Sequence, residues 1–232
     1  MGAGYWVIII GIGLVSWLVQ WNLKRKFDKY SKIPLGNGMT GKDVSELMLR
    51  ENGIQDVKVQ SVNGMLTDHY NPANKTINLS EGVYASSSVA AAAVAAHETG
   101  HALQHAKAYA PLKMRSALVP AVSFSNQWVT WLLIGGVILL GNGSRFGTTV
   151  LAIAVALYGI IMIFSFITLP VEINASQRAL AWLSRAGITN SYNDEAARDA
   201  LKSAAYTYVV AAIGSLVTFL YYLMILLGGR RS

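Results

Sequence analysis

Residues 117–141 carry no charged side chain, and neither do residues 147–171. Each run exceeds the roughly 20 residues that an α-helix needs to cross a hydrocarbon layer about 30 Å thick. Inside lipid, every backbone N–H and C=O must find its partner within the spanning element, so runs of this kind are held to the helical state. Gly141-Asn142-Gly143-Ser144 between them has the composition of a tight turn, which predicts a transmembrane helical hairpin. A shorter run, Tyr5 to Trp21, is apolar apart from Ser16 and Gln20, and Trp6, Trp17 and Trp21 lie where interfacial anchors belong. A last run over 203–227 carries Tyr206, Tyr208, Tyr221 and Tyr222 as two interfacial belts. Four spans are therefore predicted. Composition agrees: 53% of the 232 residues are hydrophobic and only 13% charged, about half the usual charged share.

The first run does not read as a cleaved leader. No basic segment precedes it, no small-x-small site follows it, and Lys24-Arg25-Lys26 with Lys29 and Lys32 come directly after. It is read as a retained anchor with its N-terminus outside. Basic residues set the topology: 16 of the 19 Lys and Arg lie in 24–117 or 172–202, while only Arg145, Arg230 and Arg231 fall on the other side. Both polar segments are therefore expected in the cytoplasm of a multi-pass inner-membrane protein. The organisation that follows is an anchor at 1–23, a cytosolic catalytic segment at 24–117 and a helical hairpin at 118–170. Cytosolic helices at 171–202 and a final span with its tail at 203–232 complete it. A net charge of +7 without a basic stripe interleaved with aromatics excludes a nucleic-acid partner. The absence of cysteine excludes disulfides and leaves nitrogen and oxygen as the donors for any zinc ion.

Within the first polar segment, Thr40 or Asp43 can cap a helix from Val44 to Glu51 that ends before Gly53. The stretch 57–62, the Asn63-Gly64 pair and the stretch 65–70 make a strong hairpin signal. A second turn at Asn71-Pro72-Ala73-Asn74 leads to Thr76-Ile77-Asn78-Leu79. A small antiparallel sheet of two or three strands is predicted, and its edge could take up an extended peptide. In the second polar segment a helix is expected from Val171 to Arg185, stopped at Gly187, with another short helix from Asp194.

Chemistry enters at His97-Glu98-Thr99-Gly100-His101, an H-E-x-x-H pattern that follows a run rich in alanine, the strongest helix former. On a helix, residues four apart share one face, so His97 and His101 can both turn a ring nitrogen to one tetrahedral zinc. Glu98, about 100° round the helix, is placed as a general base for water that the metal activates. Gly100 costs about 1 kcal/mol relative to alanine inside a helix, which predicts a packing or access role. A catalytic zinc takes a third protein ligand and keeps one position open. His105 is disfavoured for it, because on a straight helix it lies about 12 Å from His97. Glu172 is the acid placed for the role. It follows Thr168-Leu169-Pro170-Val171 at the end of the third span, where an unpaired carboxylate is costly unless it binds a partner or a metal. His69, Tyr70, Tyr109, Arg178 and Tyr192 are candidates to steady an oxyanion, with His69 beside Asp68 favoured.

Leu-Pro-Val-Glu-x-x-Ala-Ser at 169–176, Ala-Ala-His-Glu-Thr-Gly-His-Ala at 95–102, Thr-Asp-His-Tyr at 67–70 and Tyr-Ala-Pro-Leu-Lys at 109–113 together resemble the YugP-type neutral zinc metallopeptidases of bacterial membranes. The layout is also similar to the HtpX-type and CAAX prenyl proteases, whose zinc site faces the cytosol among membrane helices. The resemblance implies a mainly α membrane protein with a zincin-like zinc helix, and a metal set of His97, His101 and Glu172. It also implies Zn2+ as cofactor and a peptide or protein substrate met at the bilayer. Those enzymes usually carry an aspartate four residues after the ligand glutamate, where this chain has Ser176. Two other readings stand beside it. A site-2-type intramembrane protease would need its zinc helix to cross the bilayer, and 83–96 is too short for that. A membrane scaffold that binds metal without turnover would show no difference between Glu98→Gln and wild type. Neither an oligomeric state nor a regulatory membrane partner can be read from the residues.

Overall fold

The structure is a computed structural model that describes residues 3–228; Arg230 and Arg231 of the charge count lie outside the described residues. The chain is mainly helical. Helix α1 (Ala3–Tyr30) leads to α2 (Gly41–Glu51), then to strands β1 (Lys58–Val62), β2 (His69–Asn71) and β3 (Thr76–Ser80). After them come α3 (Glu81–Tyr84), α4 (Val89–Ala106), α5 (Ala110–Gly141), α6 (Arg145–Arg185) and α7 (Ser191–Gly228). Among the described residues four helices, α1, α5, α6 and α7, are long and apolar enough to cross a membrane. The 41 residues of α6 make it about 60 Å long at 1.5 Å per residue, twice a hydrocarbon core. Crossing one hydrocarbon core would use only about half of it.

The chain divides into two compact units, with boundaries inside α1, α5, α6 and α7. The first comprises Met1–Leu18, Met114–Leu169 and Tyr208–Ser232. Its buried centre is built from Val129, Leu133, Leu151, Ala154, Val155, Tyr222 and Leu226. The hairpin of α5 and α6 closes tightly: a Cβ on Gly136 would come within 2.8 Å of the Leu151 backbone nitrogen. Large apolar side chains such as Trp131, Phe146 and Ile153 point outward, the pattern of a surface whose solvent is lipid.

The second unit comprises Val19–Lys113 and Pro170–Thr207. Its middle is α4, whose Ala90 to Ala93, Ala95 and Ala96 are all buried. Small side chains around the helix let α2, α3 and the sheet approach it from several sides, so the alanine run serves packing as well as propensity. Ser88 starts the helix by accepting from the Ala91 N–H. Thr40 caps α2 in a capping box with Asp43, and the helix begins at Gly41, earlier than expected. Trp182 of α6, almost fully buried, donates from Nε1 to Glu51 Oε2 at 2.7 Å.

The sheet departs from the expected antiparallel hairpin. Its order is β1-β3-β2, with β1 parallel to β3 and β2 antiparallel to β3. The Asn63-Gly64 segment is a loop that carries the chain across, and the true reversal is the second turn, where Lys75 has φ 53°. Burial explains the order. Every residue of Thr76–Ser80 is buried, whereas β1 is only partly covered, so β3 takes the place with neighbours on both edges. Asn78 in its middle is satisfied by Gln60, Thr76 and the His69 carbonyl. A second correction concerns the helix expected from Val171. It has no start of its own and continues α6, with Pro170 inside; proline removes one N–H from the ladder, and the long helix tolerates the loss. Likewise α7 begins at Ser191 and runs on without a break into the last apolar stretch.

Candidate metal centre

α4 turns His97 and His101 to the same side, one turn apart, with ring centroids 4.8 Å apart and planes at 84°. Glu172, two residues past Pro170 on α6, meets them both. Its Oε2 lies 3.2 Å from His97 Nε2 and 3.5 Å from His101 Nε2. The two helices come this close because Gly100 has no side chain: a Cβ there would stand 2.8 Å from the Ala175 carbonyl oxygen. The expected packing role of that glycine is thus its observed one.

Among the described residues, His97, His101 and Glu172 are the group whose donor atoms converge closely enough to hold a metal ion, all within 4.8 Å of one another. Four donors about 2.0–2.1 Å from a tetrahedral zinc stand about 3.3–3.4 Å from one another; the carboxylate-to-imidazole separations match that spacing. The chemistry fits as well. Glu172 is 2% exposed, and a carboxylate buried so deeply calls for a cation or a protonated partner. Burial by itself lowers the pKa of His101, but the hydrogen bond to Glu172 and the charges of Glu98 and Glu172 outweigh it and raise the value.

Further polar groups surround the cluster. Ser176 Oγ lies 3.1 Å from His97 Nδ1, and Gln104 Oε1 lies 3.0 Å from His101 Nδ1. Each imidazole thus has a partner on the nitrogen remote from Glu172, the arrangement that orients metal-binding histidines. Glu98 is buried and stands outside the cluster, where its Oε2 accepts the Tyr70 N–H at 3.0 Å. That contact places β2, an edge strand, beside the carboxylate.

The other sequence candidates are scattered. His69 is exposed, with Nδ1 2.8 Å from the Thr67 carbonyl. The Tyr70 hydroxyl lies 2.7 Å from His105 Nδ1, so the two groups are engaged with each other, and His105 is not one of the converging donors. Arg178 donates to Asn174 Oδ1 at 2.7 Å. Tyr109 is half-buried, and Tyr192 is 77% exposed beside Lys29 and Ser191 in a separate groove. Sequence reasoning missed Gln104 and Asn174. Their signal was faint: a glutamine three residues after His101 in a helix otherwise alanine- and leucine-rich at that level.

Four helices long and apolar enough to cross a membrane and a largely buried two-histidine, one-carboxylate cluster define the class, one with candidate membrane spans and a candidate metal centre. Residues 5–227 match the family described as "Putative neutral zinc metallopeptidase", and the chain belongs to that family. A curated relative, the "Putative membrane protease YugP" of Bacillus subtilis (strain 168), is 40% identical over 222 residues, covering 96% of each chain. No solved structure matches.

Proposed function

We propose that this chain is a membrane-embedded zinc metalloendopeptidase whose site faces the cytoplasm, with His97, His101 and Glu172 as metal ligands. The observation that carries this reading is the single oxygen of Glu172 set between the two imidazole Nε2 atoms at tetrahedral ligand spacing. Zinc, when bound, supplies the Lewis acidity that makes water a nucleophile at neutral pH and polarises a carbonyl. Glu98 moves the proton: it takes one from the attacking water and gives it to the leaving amine as the C–N bond breaks. Tyr70 N–H holds Glu98 by Oε2, which leaves Oε1 for that proton.

The substrate is a peptide or protein segment in extended form, lying along β2. The Tyr70 N–H is turned towards Glu98 rather than β3, so this edge is the one that faces the reacting groups. His69, exposed and one residue from that contact, is the residue proposed for the oxyanion; with Nδ1–H given to the Thr67 carbonyl it can donate there only through Nε2, which requires hydrogen on both ring nitrogens. The His69→Ala variant should lose about 10²–10³ in kcat at unchanged zinc content; an unchanged kcat removes His69 from the role. The proposed organisation keeps the anchor at 1–23, the hairpin at 118–170 and the last span at 203–232 in lipid, with 24–117 and 171–202 in the cytoplasm. The bias of basic residues supports that topology. Glu172 directly follows an uncharged run of the chain, which supports cleavage close to the membrane surface.

The test is zinc content and cleavage of an unfolded protein substrate by wild type and Glu98→Gln in detergent. Zinc in both and cleavage by wild type alone is expected. Equal cleavage by the two eliminates hydrolysis through Glu98, and zinc without any cleavage points to a metal-binding scaffold. A topology reporter inserted at Lys75 reads the cytoplasmic placement directly.

A further inference from the structure

Gln104 is fully buried, yet every polar atom of its side chain is engaged. Oε1 lies 3.0 Å from His101 Nδ1, while Nε2 lies 2.8 Å from the Val171 carbonyl and 3.1 Å from Asn174 Oδ1. Asn174 Oδ1 in turn accepts from Arg178 Nε at 2.7 Å. The direction of this chain of hydrogen bonds is set at two points by groups that have no alternative. A backbone carbonyl can only accept, and a guanidinium can only donate. Turning the Gln104 amide round would set its oxygen against two acceptors. The amide nitrogen therefore faces Val171 and Asn174, and Oε1 faces the imidazole. An oxygen at that place can only accept, so Nδ1 of His101 carries a hydrogen, and Nε2, on the Glu172 side, is the nitrogen left to bind a metal.

We propose that Gln104 is a positioning residue of the metal centre. It fixes the tautomer and ring orientation of His101, and it ties that setting to the turn of α6 that carries Glu172. The inference rests on the zinc reading above and goes further by naming what holds the second imidazole. The two histidines differ here. Ser176, the partner of His97, has a hydroxyl that can either donate or accept, whereas the Gln104 network admits one polarity. A glutamine that merely braced α4 against α6 would need only its amide nitrogen, and this distinction separates positioning from bracing.

The experiment uses the full-length protein in detergent. Zinc affinity is measured by competition with a chelating dye, and Co2+ is substituted to read the ligand field by absorption. Gln104→Leu removes both halves of the side chain's function, while Gln104→Glu keeps an acceptor towards His101 and loses the donor towards Val171. Positioning predicts a 10–100-fold loss of zinc affinity for Gln104→Leu and recovery to within about threefold of wild type for Gln104→Glu. The Co2+ spectrum should be altered in the first variant alone. Equal losses in both variants, or none in either, overturn the proposal. If neither variant folds, long-range 15N–1H NMR of histidine-labelled, zinc-loaded wild type decides. A proton on Nδ1 of His101 with the metal on Nε2 is expected, and the reverse overturns the inference. Wild type that takes up no zinc overturns the metal centre itself, a different outcome from wild type and Gln104→Leu binding zinc equally.

Discussion

Gly100 on α4 passes Ala175 on α6 so closely that an added Cβ would stand 2.8 Å from the Ala175 carbonyl oxygen. The contact is with backbone, which cannot swing away as a flexible side chain would. Gly100→Ala therefore sets two effects against each other. Helix propensity favours alanine by about 1 kcal/mol, while overpacking costs about 1–3 kcal/mol. The net expectation is a modest loss of thermal stability with a larger loss of zinc affinity, because the displaced helices carry His97 and His101 on one side and Glu172 on the other. Melting with and without zinc checks this; equal zinc-induced stabilisation in variant and wild type contradicts it.

Glu172→Gln removes the negative charge while preserving shape. Groups that only orient a ligand are worth about 10–100-fold in metal affinity, so loss of a direct ligand should exceed about 100-fold. The metal-free variant should not fall in stability in the same measure, since an amide can still meet an imidazole. Zinc titration beside urea unfolding separates the two, and unaltered zinc affinity would exclude Glu172 as a ligand.

Ser176 offers His97 a neutral hydroxyl at 3.1 Å. An aspartate in its place would make a charge-assisted hydrogen bond, about twice as strong as a neutral one, and raise the basicity of the imidazole. Ser176→Asp should therefore bind zinc more tightly, by up to about tenfold. Weaker binding would show that the extra buried charge costs more than it returns.

His101 brings a pH dependence. Burial pulls its pKa down, but the neighbouring carboxylates raise it above the ordinary 6.5, so protonation stabilises the metal-free fold. That contribution is fully present below about pH 6.5 and is lost as pH rises through the folded value. Zinc must displace this proton. Zinc affinity should climb with pH in this range, approaching about tenfold per unit where His101 is protonated. Dye competition from pH 6 to 8 measures the slope, and a flat profile would show that no proton is exchanged.

The four apolar helices and the one-turn pairing of His97 with His101 are legible in the amino-acid sequence alone. Both are local matters: lipid leaves an uncharged run no alternative to helix, and the pitch of a helix places residues four apart together. The tertiary structure decided the rest. Glu172 stands out in the sequence as a costly acid at the end of an uncharged run, but it lies 71 residues beyond His101 with all of α5 between them, and only the packing of α4 on α6 through Gly100 brings it to both imidazoles. The central place of β3 followed from burial over its whole length, against a turn signal at Asn63-Gly64 that favoured a simple hairpin. Gln104 looks like any polar residue near a helix end until Val171 and Asn174 are seen beside it. Periodicity reaches one or two turns along a chain; contacts between elements depend on shape and on where each buried polar atom finds a partner.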